Sequence, residues 1–139
     1  MNKLKLTILT PEKVLIEDKE VDSVTIPAWE GEMTVLYDHI PYMAQLKEGI
    51  LKYRDGEKEE YMSIFWGYFE VDKNNVVILA EDAKISKEID EEKTRQEYQK
   101  IKEALITADK KQSVEDLEIE LKKIIVNLKL SDLKKKQKR

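Results

Sequence analysis

Apolar and polar positions alternate at the start of the chain, where Lys5 and Thr7 separate Leu4, Leu6 and Ile8. A period of two marks a half-buried strand. Val14 to Ile16 and Val24 to Ile26 are short apolar runs with Glu17, Asp18, Lys19 and Glu20 between them, which predicts two strands joined by a charged turn. Further on, Ile50 to Tyr53 and Tyr61 to Phe65 flank Arg54-Asp55-Gly56-Glu57, while Tyr68 to Val71 and Val76 to Ala80 flank Asp72-Lys73-Asn74-Asn75. Both tetrads signal hairpins, because Asp, Asn and Gly tolerate positive φ. Many short strands with frequent turns predict a β-sandwich or a small barrel.

Between these strands lies Pro27-Ala28-Trp29-Glu30-Gly31-Glu32-Met33-Thr34-Val35-Leu36-Tyr37-Asp38-His39-Ile40-Pro41, two turn-prone clusters around a short apolar run. Proline at each end fixes φ and withholds a donor, so the segment is expected to be a shaped loop.

The pattern changes near Ala83. Glycine and proline are absent after Gly67 and charged helix formers take over, which places the boundary between Glu81 and Glu88. Tyr98, Ile101, Leu105 and Ala108 recur at helical spacing and form one apolar stripe. Ser113 stands three residues before Asp116 as an N-cap for a second helix, and the short break Asp109 to Gln112 leaves room for an antiparallel hairpin. At about 100° per residue, Val114, Leu117, Leu121, Ile124, Ile125 and Leu128 share one side of that helix. Ile119, Val126, Leu130 and Leu133 share the other. One stripe suits the first helix; the second either packs on the β-domain or is exchanged between it and another protein. The expected architecture is an N-terminal β-sandwich, residues 1–84, followed by a C-terminal antiparallel two-helix hairpin, residues 85–139.

Charge divides along the same line. Residues 1–84 carry 10 Lys+Arg against 17 Asp+Glu, net −7, and residues 85–139 carry 15 against 12, net +3. An acidic front half lacks the coherent basic face that nucleic acid requires. The chain has no cysteine, hence neither a disulfide framework nor a thiolate metal site. No apolar run approaches the roughly 20 residues of a membrane span, so a tie to a membrane is expected to go through a partner. No glycine-rich phosphate loop precedes a helix and no histidine pair has metal-ligand spacing, which leaves catalytic and metal residues unassigned. His39, the single histidine, lacks a second titrating group for general-base work and suits a loop that bonds local backbone or faces a partner.

Several short motifs follow one another in a telling order. Thr10-Pro11-Glu12 comes early; Glu30-Gly31-Glu32 is followed by Val35-Leu36 and by His39-Ile40-Pro41; Gly67 to Val71 reads Gly-x-x-Glu-Val; Val77-Ile78-Leu79-Ala80 precedes the helical tail. This series resembles the epsilon subunit of the F-type ATP synthase over essentially the whole chain. The resemblance implies a non-catalytic rotor subunit that couples the gamma subunit to the membrane ring of c subunits during proton- or sodium-driven ATP synthesis. It also implies inhibition of ATP hydrolysis by the hairpin. Glu30, Glu32 and His39 would lie in a ring-facing loop. Lys122, Lys123, Lys129, Lys134, Lys135 and Lys136 would meet an acidic segment of the alpha/beta catalytic subunits when the arm extends, and Ile119, Val126, Leu130 and Leu133 would form the exchanged face. The implied location is the cytoplasmic face of a bacterial plasma membrane, or the stromal face of a thylakoid.

Departures from the family pattern also carry information. Trp66 stands where the family has the first glycine of a pair, and it suits a partner anchor. Some members bind ATP through Ile/Leu-Asp-x-x-Arg-Ala at the first helix; here the segment is Ile89-Asp90-Glu91-Glu92-Lys93-Thr94. Lysine keeps the charge and loses the planar fork, so Ile89, Asp90 and Lys93 are candidates for a nucleotide-sensing switch, with no cofactor required. A different class of protein, a stand-alone adaptor or chaperone built from a sandwich and a coiled-coil arm, would share the same stripes.

Overall fold

The computed structural model describes residues 2–107 and 114–137. Ala108, the break Asp109 to Gln112, Ser113 as N-cap and the terminal Lys138-Arg139 lie outside the described residues. The chain divides into two compact units, Met1–Ala83 and Lys84–Arg139.

Eight strands build the first unit: β1 (Leu4–Leu9), β2 (Val14–Val21), β3 (Ser23–Ala28), β4 (Gly31–Leu36), β5 (Tyr42–Leu46), β6 (Gly49–Asp55), β7 (Lys58–Asp72) and β8 (Asn75–Ile85). They run in the order β2-β1-β8-β7-β5-β3-β4, with β6 pairing to both β3 and β7. Strand β7 explains how one hydrogen-bonded system makes a sandwich. Its first part pairs with β6, from Asp55↔Lys58 to Gly49↔Ile64, and its second part pairs with β5, from Leu46↔Gly67 to Tyr42↔Val71. The switch falls at Trp66 (φ 49°) and Gly67 (φ 118°), so the strand bends and serves both layers. Sequence periodicity divided this segment into Tyr61 to Phe65 and Tyr68 to Val71; it is one bent strand. A Cβ at Gly67 would collide with the Leu79 carbonyl, which fixes glycine at the bend.

Between the layers Leu4, Leu6, Ile8, Ile26, Leu51, Ile64 and Ile78 are fully buried. Each contributes about 1.5–3 kcal/mol by leaving water. The alternation at Leu4, Leu6 and Ile8 thus points inward as predicted. The β6–β7 turn centres on Gly56-Glu57, with Gly56 at φ 66° as a type II′ turn requires, and the β7–β8 turn on Lys73-Asn74, both at positive φ as in type I′.

Two expectations need correction. The segment Pro27 to Pro41 is mostly strand, because β3 and β4 pair in unbroken register from Ser23↔Leu36 to Ala28↔Gly31 around the two-residue turn Trp29-Glu30. The alternation of inward Met33 and Val35 with exposed Glu32, Thr34 and Leu36 was masked by the flanking prolines and glycine. Likewise Glu17 to Glu20 is no turn. It belongs to β2, an edge strand whose charged side chains are solvated; the chain reverses before it, at Thr10 to Lys13, and only Asp22 separates β2 from β3.

The second unit opens with a 3-10 turn at Ser86–Glu88, followed by α1 (Glu91–Ile106) and α2 (Val114–Gln137). Asp90 caps α1 through Oδ1, which accepts from the Lys93 N–H at 3.1 Å, and Glu91 and Glu92 place negative charge at the positive end of the helix dipole. The two helices pack antiparallel: Glu91 at the start of α1 meets Lys135 near the end of α2.

Candidate functional site

Three surfaces carry the residues singled out above. The first is the β3–β4 tip. Backbone bonds from Trp29 N–H to Gln45 O and from Lys47 N–H to Pro27 O, both 2.9 Å, hold this tip against the β5–β6 connection. Trp29 is 57% exposed with Lys47 Nζ 6.0 Å from its ring centroid, and Glu30 and Glu32 stand exposed beside it. The tip therefore presents two carboxylates and one open aromatic face.

His39 is elsewhere. It follows β4, so the whole six-residue strand, about 20 Å at 3.3 Å per residue, separates its turn from Glu30. One ring-facing loop containing all three residues is not what the fold builds. The His39 turn is closed by Leu36 O accepting from His39 N–H at 3.1 Å, and His39 Nδ1 donates to the Ile40 carbonyl at 2.7 Å. Asp38 N–H donates to Asn74 Oδ1 at 2.7 Å, which ties this turn to the β7–β8 turn.

The second surface is the outward face of the β5–β7–β8 layer. Pairing of Met43 with Glu70 and of Gln45 with Tyr68 makes Met43 and Tyr68 diagonal neighbours. Counting back from the Lys73-Asn74 turn brings Leu79 beside Tyr68. Met43, Tyr68 and Leu79 are each at least half exposed, an apolar group of the kind that marks docking surfaces. Sequence reading missed it because β5 went unassigned. The signal was present in Ala44 and Leu46 facing inward while Met43 and Gln45 face out. Trp66 is half-buried at the bend, and its indole N–H donates to Glu48 Oε2 at 3.0 Å.

The third surface is the arm. On α2, Ile124 is buried and Leu117, Leu121 and Leu128 are half-buried, whereas on the opposite stripe Val126 and Leu130 are buried, Leu133 is half-buried and Ile119 is exposed. Lys122, Lys129, Lys135 and Lys136 are exposed, and Lys123 and Lys134 are partly covered. Glu91 is held below the ordinary carboxylate range, first by its hydrogen bond from Lys135 and then by that from Arg95.

The ATP-motif positions make local helix contacts. Asp90 spends its carboxylate on the helix cap, Thr94 donates its hydroxyl to the Asp90 carbonyl at 2.7 Å, Ile89 is half-buried, and Lys93 is a single exposed cation.

Comparison with known proteins adds identity to this geometry. The ATP synthase delta/epsilon chain β-sandwich domain family matches residues 3–86. The ATP synthase epsilon chain of Geotalea uraniireducens is 39% identical over 114 residues, 82% of this chain and 79% of that one. That of Bdellovibrio bacteriovorus is 41% identical over 95 residues, 67% of this chain and 68% of its own. Among solved structures, a chain of the Euglena gracilis mitochondrial ATP synthase, in an OSCP/F1/c-ring assembly, superposes with a TM-score of 0.81 at 27% identity, covering 93% of this chain and 81% of that one.

Proposed function

This chain belongs to the ATP synthase delta/epsilon family, and from that premise we propose that it is a non-catalytic rotor subunit, an epsilon chain that couples ring rotation to the gamma subunit. The observation that carries the reading is a likeness extending through both units: the Euglena superposition covers 93% of the chain. The apolar group Met43, Tyr68 and Leu79 suits docking on gamma. Glu30 and Glu32, beside Trp29 at the β3–β4 tip, suit contact with basic groups on the membrane ring. His39 lies at the other end of β4 and bonds local backbone through Nδ1. Trp66 fixes the bend that presents the outward layer, and its remaining exposed edge adds to the docking face.

The arm, Lys84–Arg139, restrains ATP hydrolysis by presenting the basic side chains of α2 to acidic groups on the alpha/beta catalytic subunits. The stripe Ile119, Val126, Leu130 and Leu133 is the face exchanged when the arm changes partner, as a two-state element requires. No step uses ATP bound to the arm. Among the described residues no helix is long and apolar enough to cross a membrane, so the tie to the cytoplasmic face of the membrane is made through the ring.

The test is reconstitution. A cognate motor stripped of this subunit is given back either residues 1–83 or the whole chain. Both forms should bind and restore coupled rotation, and only the whole chain should slow hydrolysis. Failure of both to bind would remove the rotor reading.

A further inference from the structure

The six lysines of α2 are not equivalent. At about 100° per residue, Lys135 falls in line with Leu117, Leu121 and Leu128 on the side that packs against α1, while Lys122, Lys123, Lys129, Lys134 and Lys136 point elsewhere. Helical side chains lean toward the N-terminus of their own helix, which carries Lys135 back toward the first turn of α1. There its Nζ meets Glu91 Oε2 at 2.6 Å, and the other oxygen of the same carboxylate, Oε1, accepts from Arg95 at 2.8 Å. Glu91 is mostly covered, with 22% of its side chain exposed. The partners of this carboxylate therefore come from both helices.

We propose that Glu91 is a built-in acidic occupant of the arm's basic site: it holds Lys135 while the hairpin is closed and gives it up when an acidic segment of a partner takes its place. This rests on the reading of the arm as an inhibitor. The helices then open not against packing alone but against an ion pair that the partner can replace in kind. Because a carboxylate is exchanged for a carboxylate, the transition leaves no charge unpaired, and its position depends on how many acidic groups the partner offers. Lys135 is thereby the switch residue among the six. Arg95 lies one turn along α1 from Glu91 and keeps its bond to that carboxylate, at 2.8 Å, on both sides of the exchange.

The full-length chain, which has no cysteine of its own, is given paired labels at Tyr98→Cys and Leu121→Cys and its interhelical distance distribution is measured, alone and with the motor. Glu91→Gln should raise the open population about two- to fivefold, the range expected of an exposed ion pair, and strengthen inhibition of hydrolysis by a like factor. Lys135→Gln should open the hairpin equally yet fail to strengthen inhibition, since it removes the group the partner would take. Glu92→Gln, which loses the same charge from the first turn of α1 outside the pair, controls for the helix dipole and should do neither. Exchange of the two residues, E91K with K135E, should restore closure. An unchanged distance distribution in Glu91→Gln overturns the proposal. An opened hairpin with unchanged hydrolysis overturns instead the inhibitory reading on which the exchange rests.

Discussion

Gly67 and Gly56 share a positive φ and differ in what surrounds them, so one substitution at two places separates backbone strain from collision. At Gly56 an added Cβ meets nothing within 4 Å, and Gly56→Ala should cost about 1–2 kcal/mol, the penalty of a left-handed conformation. At Gly67 the same atom is driven into Leu79 backbone, and Gly67→Ala should cost on the order of 3 kcal/mol or more by adding overpacking to that strain. Urea unfolding of the two variants checks the difference. A second residue-scale prediction concerns acid. Asp22 receives Lys3 Nζ at 2.6 Å and the Gly56 N–H at 2.7 Å, and the Lys3 hydrogen bond, followed by that from Gly56, lowers its pKa below the ordinary 3.8. A folded-state value that is depressed stabilises above the unfolded value and loses that stabilisation as pH falls through the folded one. Asp22→Asn should therefore be less stable than the native chain at neutral pH, with the gap closing below about pH 3.8. A gap unchanged from pH 7 to pH 3 would show that the charge of Asp22 does not contribute.

Elements were legible where a single periodicity governed them. β1 announces itself because exposed Lys5 and half-buried Thr7 alternate with fully buried Leu4, Leu6 and Ile8. The α1 N-terminus was visible in Asp90, whose carboxylate does what an N-cap does. Edge position and hairpin register were not legible. Glu17 to Glu20 look like a turn because charge normally marks one, yet an edge strand tolerates charge on its solvated side. β4 was hidden by Pro27 and Gly31, which here start and stop a tight hairpin instead of dissolving it. The two-faced character of α2 was legible from spacing alone, but which residues of each face are covered is a tertiary fact. Leu130 is fully buried and Ile119 is 45% exposed although both lie on the same stripe. Leu130→Ala should accordingly destabilise by about 2–5 kcal/mol, and Ile119→Ala should stay within about 0.5 kcal/mol. Hydrogen exchange along α2 reads both, and equal protection in the two variants would mean that the stripe acts as one surface.

At the scale of the molecule the division of charge sets the two units different tasks. A unit of net −8, residues 1–83, whose proposed docking group is Met43, Tyr68 and Leu79 would bind through burial of apolar area, which salt does not screen and excluded salts strengthen. An arm of net +4, residues 84–139, whose proposed contacts are lysines would bind through charge, and the Debye length shrinks from about 10 Å at 0.1 M to 3 Å at 1 M. The two contributions should separate on one axis. As potassium chloride rises from 0.05 to about 0.5 M, hydrolysis by the motor carrying the whole chain should recover toward that of the motor carrying residues 1–83, while both forms remain bound. Replacing Lys135 alone should flatten this salt response more than replacing the exposed Lys122, because in the proposed exchange Lys135 is the lysine whose pair with Glu91 is traded for one with the partner. If inhibition instead persists at high salt and vanishes in Leu130→Ala, the arm acts through its apolar stripe, and charge only guides it there.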